Sequence, residues 1–283
     1  MPDYREKATR GTPDFPFAYY KMRRGEGFSN MVNLHWHTEI EMIYILNGEA
    51  AVNVSEERHV LKAGDIFFIN PEELHIIKPQ TLPLSYEVAV FSPELLEFKE
   101  GHFFEKEFIT PLQNGDLHFP RVIDAGHPLY EKVQPIIEKL FQYDINSKPL
   151  ILADLTAVFC IFAESGVMVN FDNKTVKKHS GDIKLCISYM KEHYTEKITL
   201  QDLAGLIHMS ENYFCSYFKA YTGVTPFTQL NNIRIKKAAA LLLKSDDSVL
   251  NIAESCGFEN VSFFIRKFKE IMGCTPKSYR KIT

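Results

Sequence analysis

Between Leu203 and Pro276 the chain carries one pattern twice, and this duplication restricts the fold more than any other feature of the sequence. The first copy reads L-A-G-L-I-H-M-S-E-N-Y-F-C-S-Y-F-K-A-Y-T-G-V-T-P over Leu203–Pro226. The second reads I-A-E-S-C-G-F-E-N-V-S-F-F-I-R-K-F-K-E-I-M-G-C-T-P over Ile252–Pro276. Ala204 matches Ala253 at an offset of 49 residues. Phe214, Phe218, Lys219, Gly223, Thr225 and Pro226 match Phe264, Phe268, Lys269, Gly273, Thr275 and Pro276 at an offset of 50. The one-residue slip falls where a turn absorbs it. A repeat of this length is a supersecondary unit copied in tandem.

Each copy reads as a short helix, a tight turn and a second helix with an aromatic inner face, which is a helix-turn-helix. Thr199 and Asp202 have the spacing of a capping box ahead of the first unit, and Ser210 and Asn260 stand where a helix N-cap is needed. Gly223 and Gly273 stop the second helices, and Pro226 and Pro276 occupy first helical positions behind a threonine cap. In the first unit Tyr213, Phe214, Tyr217 and Phe218 read as inward, leaving Glu211, Asn212, Cys215, Ser216 and Lys219 outward. In the second, Phe263, Phe264 and Phe268 read as inward. Val261, Ser262, Ile265, Arg266 and Lys269 are then outward, with Lys267 at the flank. A connecting helix of about 18 residues spans roughly 27 Å. With the widths of the units added, this approaches the ~34 Å of one DNA turn, so both second helices could enter successive major grooves.

Charge separates this region from the rest. Residues 1–171 carry 15 Lys and Arg against 25 Asp and Glu, and residues 172–283 carry 17 against 11. The net −4 of the whole chain thus hides an acidic front and a basic back, and the back is the half suited to a polyanion. The change of sign falls in a polar, unpatterned stretch, 168–181, which reads as a linker. The organisation expected is therefore 1–127, 128–167, 168–181 and 182–283.

From Leu34 to about Val90 the pattern is that of short strands, the signature of a small β-barrel or sandwich. Asn47-Gly48, after the apolar Ile40–Leu46, is a hairpin signal. His35, His37 and Glu41 share one parity and would project to one face of a regular strand, and His75 stands at the start of a later one. A few convergent polar groups inside a small barrel suit a small polar ligand. Residues 128–143 and 149–164 read as helices. The second is apolar on nearly every side, so it is buried either in a dimer interface or against its own barrel.

The spacing H-x-H-x-x-x-E-x-x-x-x-x-x-G over His35–Gly48 resembles the first motif of cupin barrels, and Gly64, Pro71 and His75 resemble the second. The resemblance implies a divalent metal held by His35, His37, Glu41 and His75, in the pocket that would otherwise bind effector. No cofactor is strictly required. Further on, R-I-x-x-A-x-x-L-L at Arg234–Leu242, I-A-x-x-x-G-F at Ile252–Phe258, F-F-x-R-x-F-K at Phe263–Lys269 and G-x-T-P-x-x-Y-R at Gly273–Arg280 resemble the AraC/XylS family of transcription regulators. That resemblance implies a cupin-like β-barrel with following helices, then an all-α domain of two helix-turn-helix units on one long helix. It implies base contacts at Asn212, Cys215, Ser216, Ser262, Ile265 and Arg266. Lys219, Lys267 and Lys269 would meet phosphates.

A guanidinium at Arg266 can pair both major-groove acceptors of guanine, and Asn212 can read adenine in the same bidentate way. The partners expected are double-stranded promoter DNA, a small-molecule effector such as a sugar, a second copy of the chain, and RNA polymerase, with activation the usual outcome in the family. The competing reading is a metal-dependent cupin enzyme with an accessory helical domain, but no second catalytic group accompanies the histidines. No run of 18 uncharged apolar residues offers a membrane span. Five scattered cysteines without a C-x-x-C, and an N-terminus lacking an apolar segment, point to the cytoplasm.

Overall fold

The computed structural model describes residues 10–12, 14–25, 34–55, 57–97, 102–170 and 174–282. Strands β1 (Phe17–Arg24), β2 (Ile40–Asn47), β3 (Glu49–Val54), β4 (Glu57–Lys62), β5 (Ile66–Ile69), β6 (His75–Pro79) and β7 (Leu84–Phe91) build the N-terminal half. A π-helical turn (Glu105–Ile109), a short helix α1 (Thr110–Gln113) and the two-residue strands β8 (Leu117–His118) and β9 (Val122–Ile123) follow. Helices α2 (Tyr130–Leu140) and α3 (Lys148–Ser165) then lead to β10 (Val169–Asn170). The strands form two antiparallel sheets, ordered β1-β7-β2-β5-β9 and β4-β3-β6, with β10 paired to β8.

Alternation along the strands makes both faces of the larger sheet apolar. On β2, Ile43 and Ile45 pack between the two sheets with Val52, Val54 and Phe67. Met42 and Tyr44 point the other way, into a core shared with Val133 and Ile137 of α2 and Leu155, Phe159 and Phe162 of α3. Of the two readings of these helices, a dimer interface or packing against their own barrel, the contacts seen are those with their own sheet. Among the described residues the sheets are cupin-like but do not close into the expected barrel. Asn47-Gly48 makes no hairpin either. Strands β2 and β3 belong to different sheets, and the positive φ of Gly48, 82°, serves to carry the chain from one to the other.

The C-terminal half is helical: α4 (Lys174–Glu192), α5 (Leu200–Leu206), α6 (Glu211–Thr222), α7 (Pro226–Lys244), α8 (Val249–Ser255), α9 (Val261–Met272) and α10 (Pro276–Tyr279). The stretch read as a linker is more ordered than its composition suggests. Residues 169–170 pair with 117–118, 171–173 lie outside the described residues, and α4 begins at Lys174. Lysines favour a helix once an amphipathic segment, here Ile183, Ile187 and Met190, anchors it. The caps sit where the sequence places them. Thr199 and Asp202 form the capping box, and the Asn260 side chain accepts from the Phe263 N–H at 2.8 Å. Gly223 and Gly273 close α6 and α9 with φ of 72° and 79°. Ser210 holds the N-cap position of α6 without a side-chain hydrogen bond.

Two cores result, one per unit. The second gathers Phe258, Phe264, Phe268, Ile271 and Met272 against Ile235, Ala238 and Leu242 of α7. The first gathers Leu203, Phe214, Tyr217, Phe218 and Tyr221 against Ile183, Ile187 and Met190 of α4. Arg234 of α7 joins them. Its guanidinium donates to the carbonyls of Tyr194 (2.7 Å) and Glu196 (2.8 Å) and lies over the Phe258 ring.

Candidate functional site: a histidine–glutamate cluster and two outward helix faces

His35 and His75 face each other across an isolated antiparallel bridge, His37 lies just before β2, and Glu41 lies within it. Their ligand-type atoms all fall within 4.8 Å of one another. The ring centroids of His35 and His75 are 4.2 Å apart, those of His37 and His75 5.1 Å. The Oε2 of Glu41 is 3.0 Å from His37 Nε2 and 3.4 Å from His75 Nε2. The sequence parity therefore survives the bend at Thr38–Glu39, and all four predicted side chains are brought together.

The outer nitrogens of two rings are committed. His37 Nδ1 lies 3.0 Å from the Glu39 carbonyl and His75 Nδ1 lies 2.8 Å from the Glu73 carbonyl. A carbonyl only accepts, so each Nδ1 carries a hydrogen. In a neutral ring, Nε2 then presents a lone pair, and on both residues it faces a carboxylate. Lone pairs facing a carboxylate call for positive charge between them, as added protons or as a cation. Back-bonding of Nδ1 to a carbonyl is also how a metal-binding imidazole is oriented. Burial would raise the Glu41 carboxyl, but hydrogen bonds from His37 and His75 and their charge hold it well below the usual carboxylate range. Burial likewise opposes charge on His75, and the contact with Glu41 overrides it and raises that imidazole.

A support lies behind the cluster that the sequence reading did not find. Arg121 grips Glu73 with two nitrogens, Nη2 standing 2.6 Å from Oε1. Glu73 also accepts from the Asn70 N–H at 2.8 Å, and its own backbone carbonyl is the acceptor for His75. An arginine about 48 residues away in sequence leaves no periodic trace, so only the fold reveals the pair.

On α6, Asn212, Ser216 and Lys219 are exposed and Cys215 is half-buried. Ser216 Oγ bonds back to the Asn212 carbonyl at 3.3 Å. Tyr213, read as inward, is 60% exposed. The core positions are Phe214, Tyr217, Phe218 and Tyr221, spaced three and four apart, and they leave residue 213 about 100° off their face. On α9, Ser262, Ile265, Arg266 and Lys269 are exposed, and Val261 is partly packed on the core. The Arg266 guanidinium lies over the Phe263 ring at 5.4 Å. Lys267 pairs with Glu270 at 2.8 Å, and Lys219 and Lys269 are exposed.

A β-rich domain with a buried polar cluster, followed by two tandem helix-turn-helix units, is the architecture of a ligand-binding and DNA-binding regulator. A model described as an AraC-like ligand binding domain matches residues 27–117, and one described as a helix-turn-helix domain matches residues 203–282. The HTH-type transcriptional regulator YdeC of Bacillus subtilis is 27% identical over 98% of this chain and 96% of its own length. The HTH-type transcriptional activator RhaS of an Enterobacter is 21% identical over 87% of each. Among solved structures, ToxT of Vibrio cholerae matches 94% of this chain and 98% of its own at 13% identity and a TM-score of 0.44. The chain carries an AraC-like ligand binding domain and a helix-turn-helix domain and is homologous to AraC-family regulators such as RhaS and YdeC. Among the described residues no helix is long and apolar enough to cross a membrane.

Proposed function

We propose that the chain is an effector-responsive transcription activator in which α6 and α9 are the reading helices of two DNA-binding heads. The observation that carries this is the pair of outward helix faces, each set by its own buried core and each holding the candidate base-reading residues. The activator reading draws on the similarity to RhaS, a transcriptional activator. A homodimer working beside RNA polymerase in the cytoplasm is the accompanying expectation, and the exposed side of α3, with Leu152 and Cys160, is available for it. Arg266→Ala is expected to cost ~1–3 kcal/mol on the native upstream site and to relax preference at one base pair. Quantitative footprinting checks this, and an equal loss on random DNA would show that Arg266 meets only phosphate.

The effector site is the cluster of His35, His37, Glu41 and His75. A small polar molecule such as a sugar could bond to these groups. The Nδ1 geometry of His37 and His75 favours a divalent metal on the same four side chains, with zinc, iron and manganese all compatible with imidazole and carboxylate donors. Such an ion would supply the positive charge that the facing lone pairs and carboxylate require. Equilibrium dialysis against Zn2+ followed by elemental analysis is expected to show one ion per chain, and Glu41→Gln is expected to abolish it. Undiminished zinc in that variant would move the metal elsewhere.

A further inference from the structure

The three-stranded sheet turns one face into its own domain and the other toward the first head. Along β3, Ala50, Val52 and Val54 lie in the core between the sheets, with Leu61 of β4. Side chains alternate along a strand, so Ala51 and Asn53 belong to the outer face. The register sets Arg58 and Ile76 on either side of Asn53, and Val60 and Lys78 on either side of Ala51. Ile76 packs into the core of the first head with Phe214 and Phe218, so the outer face docks there. Glu57, next to Arg58, has the inner parity and stands 3.6 Å from Arg121. At the far end of the outer face the charges offset one another. Lys62 is set opposite Glu49, and its N–H donates to the Asp65 carboxylate at 2.7 Å. The end nearest α6 carries Arg58 and Lys78, within a stretch, 1–171, that holds 25 Asp and Glu against 15 Lys and Arg.

That end continues the outward face of α6. Asn212, Ser216 and Lys219 follow one another at intervals of four and three, which keeps them on one side of the helix. Gly223 comes one turn further along, its N–H donating to the Lys219 carbonyl at 2.8 Å. Lys78 Nζ donates to the Gly223 carbonyl at 2.7 Å, where the negative end of the helix favours a cation. Asn53 stands where a side chain at Gly223 would point, its Cγ 3.0 Å from that position. The Arg58 guanidinium donates to the neutral side chain of Gln80 at 3.2 Å, so neither this contact nor the one to Gly223 offsets a positive charge. Burial, then repulsion from Arg58 and from Lys219, pushes the Lys78 ammonium below its usual value. An anion set among the three cations would relieve that repulsion.

We propose that the β-domain itself touches DNA, with Arg58 and Lys78 joining Lys219 on the phosphates that flank the half-site read by α6. The proposal rests on α6 being a reading helix. Such a helix meets base edges with its N-terminal residues. The 12 residues of α6 extend about 18 Å, more than the ~12 Å width of the major groove. Its C-terminal end therefore comes out against the phosphate wall, and Arg58 and Lys78 stand at that end. Guanidinium and ammonium groups hold phosphate oxygens through charge-assisted hydrogen bonds. An ammonium has three donors, so Lys78 can keep Gly223 and take a phosphate as well. These contacts fix position and carry no sequence information. The core of the second head, among the described residues, contains no group from the β-domain, which places the extra contact on the α6 side of the operator.

The test measures binding of the full chain to its native upstream duplex and to a random-sequence duplex of the same length, over a range of salt. Arg58→Gln is expected to weaken both by about fivefold at physiological salt and to lower the slope of log K against log salt by about 1. Arg58→Lys keeps the charge and should restore the slope. The base pair at which Arg266→Ala relaxes preference marks the α9 half-site. Trimming the native duplex beyond the opposite, α6 half-site should weaken the wild type and leave Arg58→Gln no weaker than before. Trimming beyond the α9 half-site should affect both proteins alike. If Lys269→Gln lowers the slope and Arg58→Gln does not, the heads hold DNA and the sheet contact alone is overturned. A slope that falls as far in Arg58→Lys as in Arg58→Gln also overturns it, because charge is then not what acts. A wild-type chain that binds neither duplex at low salt removes α6 as a reading helix, and the sheet contact falls with it.

Discussion

Truncating Phe264 to alanine is expected to cost ~3–5 kcal/mol and to unfold the second head while leaving the first in place. Phe264 is fully buried, its ring centroid 5.0 Å from that of Phe258 and 5.6 Å from that of Phe268. Removing the ring forfeits its transfer free energy and leaves a void walled by helices that close only partly. A domain holds only about 5–15 kcal/mol of net stability, and a unit as small as one head holds the low end of that range. The loss is therefore decisive locally. Hydrogen exchange should show protection falling in α8 and α9 and persisting in α5 and α6, and a footprint should retain one half-site. The matched change, Phe214→Ala, should behave differently, because the core around Phe214 includes Leu34, Trp36, Leu74 and Ile76. Its loss of protection is expected to spread into β6. If Phe264→Ala lowers protection equally in α6 and α9, the heads form one cooperative unit and the division into two cores is wrong.

The tandem heads were legible because every device that makes them is local. A cap acts within three residues, a glycine stop acts at one position, and an aromatic stripe repeats at helical spacing, so Thr199, Asn260, Gly223 and Gly273 could be placed from the sequence. Part of the cluster was legible for a related reason, since parity along a strand put His35, His37 and Glu41 on one face, while His75 joined them only through the resemblance to the second cupin motif. What escaped depended on partners distant in the chain. Strand β1, F-A-Y-Y-K-M-R-R, does not alternate cleanly, and its eight-residue register comes from pairing with β7. Asn47-Gly48 has hairpin chemistry, yet strand order is decided by which faces must be buried, and it became a crossing between sheets. Tyr213 was misread because four aromatics in six residues outnumber the positions a helix can bury on one face. Trp36 has no sequence signal linking it to α4, because the two are joined only by docking of one domain on another.

Replacing Arg121 with methionine is expected to destabilise the β-domain by ~3–5 kcal/mol. The guanidinium is the principal counter-charge of Glu73, with His118 Nδ1 a more distant 3.7 Å away. Removing one partner leaves the other charged, desolvated and short of hydrogen bonds, and that residue dominates the cost. The pH dependence carries the sign. Burial would raise the Glu73 carboxyl, but Arg121 holds it below its usual value. Its contribution is therefore complete above the unfolded carboxylate range and is lost as pH falls through the lowered native value. In Arg121→Met burial is opposed only by His118 and the Asn70 N–H, so the carboxyl is raised. The variant's deficit is then full at neutral pH and shrinks as acid protonates Glu73. Thermal unfolding of both proteins at neutral and mildly acidic pH should therefore show the gap narrowing toward acid. The double variant Arg121→Met/Glu73→Leu should recover most of the stability, because exchanging a buried pair for apolar groups is commonly neutral or better. It should not recover the effector response. Glu73→Leu removes the carboxylate that fixes the Asn70–Glu73 turn, and that turn presents the carbonyl that orients His75. A double variant that is both stable and fully responsive would show that the turn needs no such anchor.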